Sequence, residues 1–286
     1  MFKRICGTIA TLAIGGLAGS ELQKRWANSR IFFKNAEAAM PLLPTRPTEI
    51  MKYGFPSNTN LKMRENYVLS YDTRCRNAHW VFEHLTRDLV KVDENSANRE
   101  EHNFQEDGSI PKPFRATNQD FFRSGFDRGH LAAAANHRAN KHWMADTFYL
   151  SNISPQHPQL NRNAWNNLEK YTRSLAYHYD NVYVCTGPLY LPRRENDGKL
   201  YVTYQVLEPN HVAVPTHFFK VILCERQGHF DLKSYMMPNE PVDPKIPLKS
   251  FMVPVEVIER ASGLLMFSGL DTGKLRKINS GKETKL

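Results

Sequence analysis

Short β-prone runs fill the second half of the chain, and their order limits the possible fold more than any other feature. The runs are NVYVCTGPLY, LYVTYQVL, VAVPTHFFKVILCE and DLKSYMMP, with glycine, proline or charged residues between them. Earlier in the chain, YVLSYD and HWVFEHL flank a polar stretch, which predicts a hairpin. Strands joined by short turns, with few helices between them, predict an α+β fold with a mixed or antiparallel central sheet flanked by helices.

One long helix is predicted in the middle of the chain. In LNRNAWNNLEKYTRSLAYHY, apolar residues recur at intervals of three and four, the spacing of an amphipathic helix with one face in the core. Asn161, Glu169 and Arg173 fall on its other side. Each has a plain structural explanation, Asn161 as the N-cap of the helix and Glu169 with Arg173 as a surface ion pair.

Shorter elements are predicted around this helix. NHRANKHWMADT is typical of a short helix, TFYLSNIS of a strand, and VEVIERAS of a short helix that Pro254 opens. Residues 93–107 are crowded with acidic side chains and are interpreted as a solvated loop without chemistry. The polar, basic tail after Gly269 is expected to be frayed.

The stretch SGFDRGHLAAAANH contains residues that packing does not explain. Asp127, Arg128, Gly129 and His130 place an acid, a guanidinium, a flexible joint and an imidazole in succession. Gly129 removes the Cβ that would hinder a close approach. His130 carries the side chain whose ordinary pKa lies nearest neutrality, which suits it to take a proton from water. The plain alternative is a solvated loop with a chance histidine.

The charge of the chain favours a polyanionic partner. The net charge is +9, and residues 1–30 hold five basic side chains against one acidic one, so about half of the excess is local. Nucleic acid or an anionic membrane surface is therefore permitted but not established.

The N-terminus is interpreted as a targeting signal. Residues 5–19 are uncharged and lie between basic residues, and they are too short to span a bilayer as a helix. The flanking basic residues favour a mitochondrial presequence over a secretory signal, with a membrane anchor as the third interpretation. The proline-rich segment MPLLPTRPTEI then predicts a linker.

Several chemistries lack their motifs. GLDTGK is one residue short of a phosphate loop, and neither a nucleophile elbow nor a dinucleotide fingerprint is present. The spacing of His130, His137 and His142 matches no familiar zinc pair. The four cysteines form no C-x-x-C pair, and Cys185 and Cys224 lie in apolar runs as small hydrophobes.

What remains is His130 beside Arg128, followed 31 positions later by an asparagine-rich helix. A hard cation such as Mg²⁺ binds oxygen ligands and keeps most of its waters, so that one amide oxygen and a substrate phosphate could suffice. A water deprotonated by His130 could then attack a phosphorus while basic side chains hold adjacent phosphates. Such a site would have little sequence preference.

These residues resemble the DNA/RNA non-specific endonucleases with the ββα-metal motif, and in particular their animal mitochondrial members. The resemblance rests on FDRGHLAAAANHR, DTFYLSN, LNRNAWNNLEKY, NVYVCTGPLY, NHVAVPTHFFKV and RASGLL, and it runs from about Met51 to about Leu265. It implies a metal-dependent nuclease that cleaves DNA and RNA and leaves 5′-phosphate and 3′-hydroxyl ends. It also implies a homodimer in the mitochondrial intermembrane space, which moves to the nucleus during cell death, with roles in apoptotic DNA fragmentation and mitochondrial DNA turnover.

The resemblance assigns roles to six residues of the chain. It makes His130 the general base and Asn161 the direct protein ligand of Mg²⁺ or Mn²⁺, chosen from four clustered asparagines by the family pattern alone. Asp127 would organise the loop, and Arg128 would lie near a substrate phosphate. Glu169 and Arg173 match positions that support the metal waters and the scissile phosphate. The ββα unit would consist of the DRGH segment, the TFYLSNIS strand and the Asn161 helix.

The expected organisation is a presequence and linker over residues 1–48, a catalytic domain over 49–270 and a polar tail over 271–286. Three alternatives remain. They are a related mitochondrial 5′ exonuclease, a catalytically idle nucleic-acid-binding nucleoid protein, and an inner-membrane structural protein anchored by residues 5–19.

Overall fold

The fold is built on a seven-stranded mixed sheet. The computed structural model describes residues 45–94 and 96–279, which belong to one compact unit beginning at Thr45. The strand order is β1-β2-β3-β6-β11-β12-β13, and every neighbouring pair is antiparallel except β12 and β13. The predicted α+β fold with a mixed sheet is therefore confirmed.

The strands are β1 Leu61–Met63, β2 Tyr67–Asp72, β3 Asn77–Leu85, β4 Asp127–His130, β5 Ile153–Gln156, β6 Asn181–Leu189, β7 Arg193–Arg194, β8 Leu200–Tyr201, β9 Val206–Leu207, β10 Val212–Ala213, β11 His217–Arg226, β12 His229–Pro238 and β13 Leu275–Ile278. The α-helices are α1 Thr45–Ile50, α2 Arg87–Val90, α3 Asn118–Phe121, α4 Lys141–Asp146, α5 Asn166–Leu175 and α6 Val255–Ser262. A π-helical segment, Leu160–Trp165, leads directly into α5.

Alternation along the long strands gives the sheet two buried faces. The π-helical segment and α5 together form one continuous helix, residues 160–175, which is called the long helix below. On one face of the sheet, Val81, Val184 and Ile222 pack with Leu168 and Trp165 of the long helix. On the other face, Phe82, Cys185 and Leu223 pack with residues of α1 and α6, such as Ile50 and Ile258. Successive side chains of a strand point to opposite faces, and here both faces are buried. The sequences of these strands are therefore nearly continuous apolar runs. The ββα unit lies on the first face.

Most of the predicted elements are present. The β2–β3 hairpin, the short helix α4, the long helix and α6 are confirmed. Helix α6 begins after Pro254 and ends at Gly263, whose φ of 71° is the left-handed conformation that glycine favours at a helix end. Cys185 and Cys224 are buried as predicted, and Cys75 is a free thiol.

Three local predictions were wrong. TFYLSNIS is mostly a turn of 3₁₀ helix, and the strand begins only at Ile153. The predicted linker already forms α1 at its end, where Ile50 is fully buried in the core. Residues 275–278 are not frayed but form β13, which pairs with β12. In the last two cases tertiary packing overrode a local signal of proline or charge.

None of the helices within residues 45–94 and 96–279 is long and apolar enough to cross a membrane. The predicted presequence, with its apolar stretch 5–19, lies outside the described residues.

Candidate active site

Strands β4 and β5 carry the DRGH segment and require the glycine within it. The two strands pair antiparallel, with Gly129 opposite Ser154 and His130 opposite Ile153. A Cβ added at Gly129 would lie 2.7 Å from Cβ of Gln156, closer than real Cβ atoms approach one another. Glycine therefore allows the close pairing that fixes the position of His130.

His130 lies in the wall of a cleft, between two phenylalanine rings. Its ring centroid is 5.4 Å from that of Phe104 and 4.9 Å from that of Phe148. The side chain is almost fully buried, and Nε2 has no hydrogen-bond partner within the described part of the chain. Burial, reinforced by the charge of Arg99, lowers the pKa of His130 to about 3. The imidazole is therefore neutral near neutral pH and has a ring nitrogen free for proton transfer.

Asp127, at the start of the same strand, organises another part of the cleft lining. Arg162 donates two hydrogen bonds to its carboxylate, at 2.8 and 2.7 Å, and Nδ2 of Asn161 donates a third at 3.0 Å. Burial raises the pKa of Asp127, but the hydrogen bonds from Arg162 and Asn161 outweigh it and leave the pKa below its ordinary value. Asp127 is therefore ionised. By accepting the hydrogen bond from Nδ2, it orients the Asn161 amide so that Oδ1 has no hydrogen-bond partner among the described residues.

The long helix brings three of the predicted site residues to one face. Asn161, Glu169 and Arg173 are spaced by eight and four positions, and all three line the cleft. The purely structural explanations offered for them by the sequence were wrong. Asn161 is not an N-cap, because it lies within the π-helical turn and donates to Asp127. Glu169 and Arg173 are not a surface ion pair, because both side chains are half-buried. Burial raises the pKa of Glu169 to about 7 against the opposing charges of Lys220 and Arg173.

Arg128 lines the same cleft from β4. Its guanidinium lies 5.3 Å from the ring of Phe104 and 5.5 Å from that of Phe121, and Nη2 donates to the Asn118 carbonyl oxygen at 3.2 Å. Nε is buried without a hydrogen-bond partner among the described residues. Two aromatic contacts thus hold a cation at the cleft while part of its donor capacity stays unused.

The cleft has a volume of about 630 Å³ and is strongly basic. Six cationic side chains line it against two carboxylates, those of Asp127 and Glu169. The cations are Arg99, Arg128, Arg138, Arg162, Lys170 and Arg173. The arrangement suits a chain of phosphates.

Sequence reasoning missed the contribution of residues 93–107. The interpretation of this segment as a solvated loop without chemistry was wrong, because Arg99 and Phe104 both line the cleft and Phe104 contacts both His130 and Arg128. Asp107 is buried and accepts hydrogen bonds from Arg64 and Ser151. An arginine and a phenylalanine within an acidic run were the only local signal.

The donor set fits a hard divalent cation that keeps most of its waters. Within residues 45–94 and 96–279, no three histidine, cysteine, aspartate or glutamate side chains are grouped as a metal site would require. Oδ1 of Asn161 accepts no hydrogen bond from the described residues, and Glu169 lies on the same face of the helix. One neutral amide oxygen beside a half-buried carboxylate is a suitable donor set for Mg²⁺ or Mn²⁺.

Comparison with known proteins agrees with this geometry. The DNA/RNA non-specific endonuclease family matches residues 46–273, and the chain belongs to that family. It is therefore a nuclease, and the candidate site residues described above lie on the unit formed by β4, β5 and the long helix.

Individual relatives cover most of the chain. It is 51% identical to mitochondrial endonuclease G of Bos taurus over 96% of this chain and 97% of that protein. It is 57% identical to mitochondrial endonuclease G of Homo sapiens over 82% and 79%. A solved structure of an EndoG/EndoGI complex superposes with a TM-score of 0.82 at 49% identity, over 85% of this chain and 99% of that one.

Proposed function

We propose that the protein is a Mg²⁺- or Mn²⁺-dependent endonuclease that hydrolyses DNA and RNA and leaves 5′-phosphate and 3′-hydroxyl ends. The observation that carries the proposal is a neutral, buried imidazole in the same basic cleft as a fixed amide oxygen. His130 provides the base, and Asn161 provides the one neutral oxygen ligand. Together they match the requirements of metal-assisted phosphodiester hydrolysis.

His130 takes a proton from the attacking water. Its neutral state is maintained by burial between Phe104 and Phe148, so the base is available without prior deprotonation. The ion that Asn161 would hold supplies charge that stabilises the phosphate and the leaving oxygen. Asp127 keeps the Asn161 amide oriented through its bond to Nδ2, and Glu169 orders water on the same face of the helix.

The cationic side chains hold the phosphate backbone. Arg173 is assigned to the scissile phosphate, while Arg128 and Arg99 bind its neighbours from the other walls of the cleft. Contacts of this kind carry no base identity, so cleavage has little sequence preference and extends to both DNA and RNA.

The test is a nicking assay on closed circular DNA with Mg²⁺ or Mn²⁺, for wild type and His130→Ala. Because general-base catalysis contributes about 10²- to 10⁴-fold, we expect a loss of this size in a variant that still unfolds cooperatively, at a somewhat lower midpoint because a buried side chain is lost. Wild-type activity in a clean His130→Ala preparation would reject the assignment. A wild type that binds DNA but never cleaves it would indicate an idle binding protein, and cleavage of linear but not circular DNA would indicate an exonuclease.

We further propose a mitochondrial location, in the intermembrane space, with passage to the nucleus and DNA fragmentation during cell death. Relatives named mitochondrial support the location. The segment before Thr45 then acts as a presequence. Sequencing the N-terminus of the organelle form tests this, since a mature protein that retains residues 5–19 would point to an anchor instead.

A homodimer is proposed as the assembly. Leu200, Val202 and Val206 are 60%, 52% and 42% exposed along one short segment, an apolar surface that a second copy would cover. Light scattering should give twice the chain mass for wild type and a smaller mass for Val202→Asp. A monomeric wild type at micromolar concentration would contradict the proposal.

A further inference from the structure

A row of buried polar side chains connects α1 with the layer beneath the active site. Nε of Arg46 donates to Oδ1 of Asn66 at 2.8 Å, and Nδ2 of Asn66 lies 3.0 Å from Nδ1 of His137. Nε2 of His137 lies 3.1 Å from Oε1 of Glu83. Arginine can only donate, so the Asn66 amide must donate to Nδ1 and the ring proton of a neutral His137 is on Nε2. The direction of each bond is therefore fixed.

A second branch runs from Glu83 to the cleft. Nδ2 of Asn136 donates to Oε1 of Glu83 at 2.9 Å, and Nη1 of Arg173 donates to Oδ1 of Asn136 at 3.2 Å. Oε1 of Glu83 is an acceptor and the Arg173 guanidinium only donates, so the Asn136 amide can satisfy both in one orientation alone. A flip of the amide would lose both bonds.

These linking groups are far from solvent. Glu83 and His137 are 0% exposed, and Asn66 and Asn136 are 2% exposed. A buried carboxylate is expensive for the fold unless it is hydrogen-bonded and offset by positive charge. Lys220 lies on the same face of the sheet, where it donates to Thr186 at 2.6 Å, and its charge acts on both Glu83 and Glu169. An apolar residue at position 83 would have served packing at lower cost.

We propose that Asn136 is a positioning residue for Arg173, with the buried Glu83 as its fixed anchor on β3. The proposal rests on the nuclease function, in which Arg173 contacts the scissile phosphate. An arginine side chain that projects from a helix has many rotamers, and a bond to one terminal nitrogen removes much of that freedom. The remaining donors of the guanidinium then face the cleft before substrate arrives.

The purely structural alternative is that the network only stabilises the fold. The two explanations predict different results when the substitutions at positions 136 and 173 are combined. If Asn136 acts through Arg173, replacing Asn136 has no further effect on cleavage in a protein that lacks the Arg173 side chain. A structural defect would instead lower cleavage in both backgrounds.

The experiment is a double-mutant cycle on kcat/KM for nicking by the full chain, with Asn136→Ala, Arg173→Ala and the double variant. We expect Asn136→Ala to lower kcat/KM about 10- to 100-fold, and to have no effect in the Arg173→Ala background. Thr172→Val is the matched control. Thr172 is buried beside Arg173, and among the described residues its hydroxyl donates to the Leu168 carbonyl oxygen of its own helix, so the loss of this hydroxyl should change kcat/KM less than about twofold.

Glu83→Gln gives a second and milder variant. Glutamine keeps the shape and an acceptor oxygen for Asn136 but replaces charge-assisted bonds by neutral ones, which are roughly half as strong. We expect a loss of a few-fold that also disappears without Arg173. Additive losses in either cycle, or wild-type kinetics of Asn136→Ala, would overturn the inference alone. A wild type without nuclease activity would overturn the proposed function, and the inference with it.

Discussion

Gly129 shows how a single residue decides whether the site can form. It lies between the cleft cation Arg128 and the buried His130, on a strand that approaches Gln156 too closely for any side chain. The requirement comes from the partner strand rather than from backbone dihedrals, since no positive φ occurs there. The sequence pointed to this glycine, but the reason for it lies in the packing of β4 against β5.

Gly129→Ala should impair both the site and the fold. The added methyl would force β4 away from Gln156 and displace His130, so we expect at least a tenfold loss of nicking activity and about 1–3 kcal/mol of stability. Gly108→Ala is the control, because nothing lies within 4 Å of a Cβ there. Kinetics and urea unfolding of both variants would check this, and an active Gly129→Ala protein would show that β4 can shift without moving His130.

At the scale of the element, the geometry of the long helix distinguishes Asn161 from the three other asparagines near it. Its first turn is π-helical, Leu160–Trp165, and there Asn161 meets Asp127 while Asn163 donates to the Gln159 carbonyl oxygen of its own turn. Two asparagines of equal chemistry thus receive different partners because the helix presents them in different directions. Which asparagine faces the cleft therefore depends on the local helix geometry, and the sequence alone did not determine that geometry.

Asn161→Ala should weaken metal dependence where Asn163→Ala does not. Loss of the amide oxygen should raise the Mg²⁺ concentration for half-maximal nicking at least tenfold, whereas Asn163→Ala should stay within about twofold of wild type. Metal titrations of the two variants, with EDTA-treated protein as the zero point, provide the measurement. An unchanged titration for Asn161→Ala would assign the ligand to another residue.

At the scale of the whole molecule, the position of the positive charges matters more for phosphate binding than their total number. About half of the net charge of +9 comes from residues 1–30, but six cationic side chains from the rest of the chain meet in one cleft. They come from segments that are distant in sequence, including the 93–107 segment, β4 and the long helix. Phosphate binding should therefore depend on this convergence and not on the total charge.

Salt dependence can separate the cleft from the general surface. Removing one phosphate contact by Arg99→Gln should reduce by about 1 the slope of log affinity against log salt for DNA bound in EDTA. Arg260→Gln removes the same charge from α6, which packs on the other face of the sheet, and should leave the slope unchanged. Equal effects of the two variants would mean that binding follows total charge.

Tertiary contacts explain where the sequence-based predictions succeeded and failed. Long strands and helices carry a periodic burial pattern, which is why the hairpin, the long helix and the mixed sheet were predictable. The 93–107 segment and the β13 strand carry no such pattern, since contacts with distant parts of the chain hold them in place. The plain explanations of Asn161 and of Glu169 with Arg173 failed for the same reason.

The sequence by itself determined the fold class, the DRGH segment and the helix that follows it, because local spacing and residue type are sufficient for each. Only the tertiary structure decided that Asp127 fixes Asn161, that Arg99 and Phe104 join the cleft, and that burial keeps His130 neutral. It also revealed the buried link from Glu83 through Asn136 to Arg173. Orientation, desolvation and charge coupling arise between residues far apart in the chain, and no local pattern encodes them.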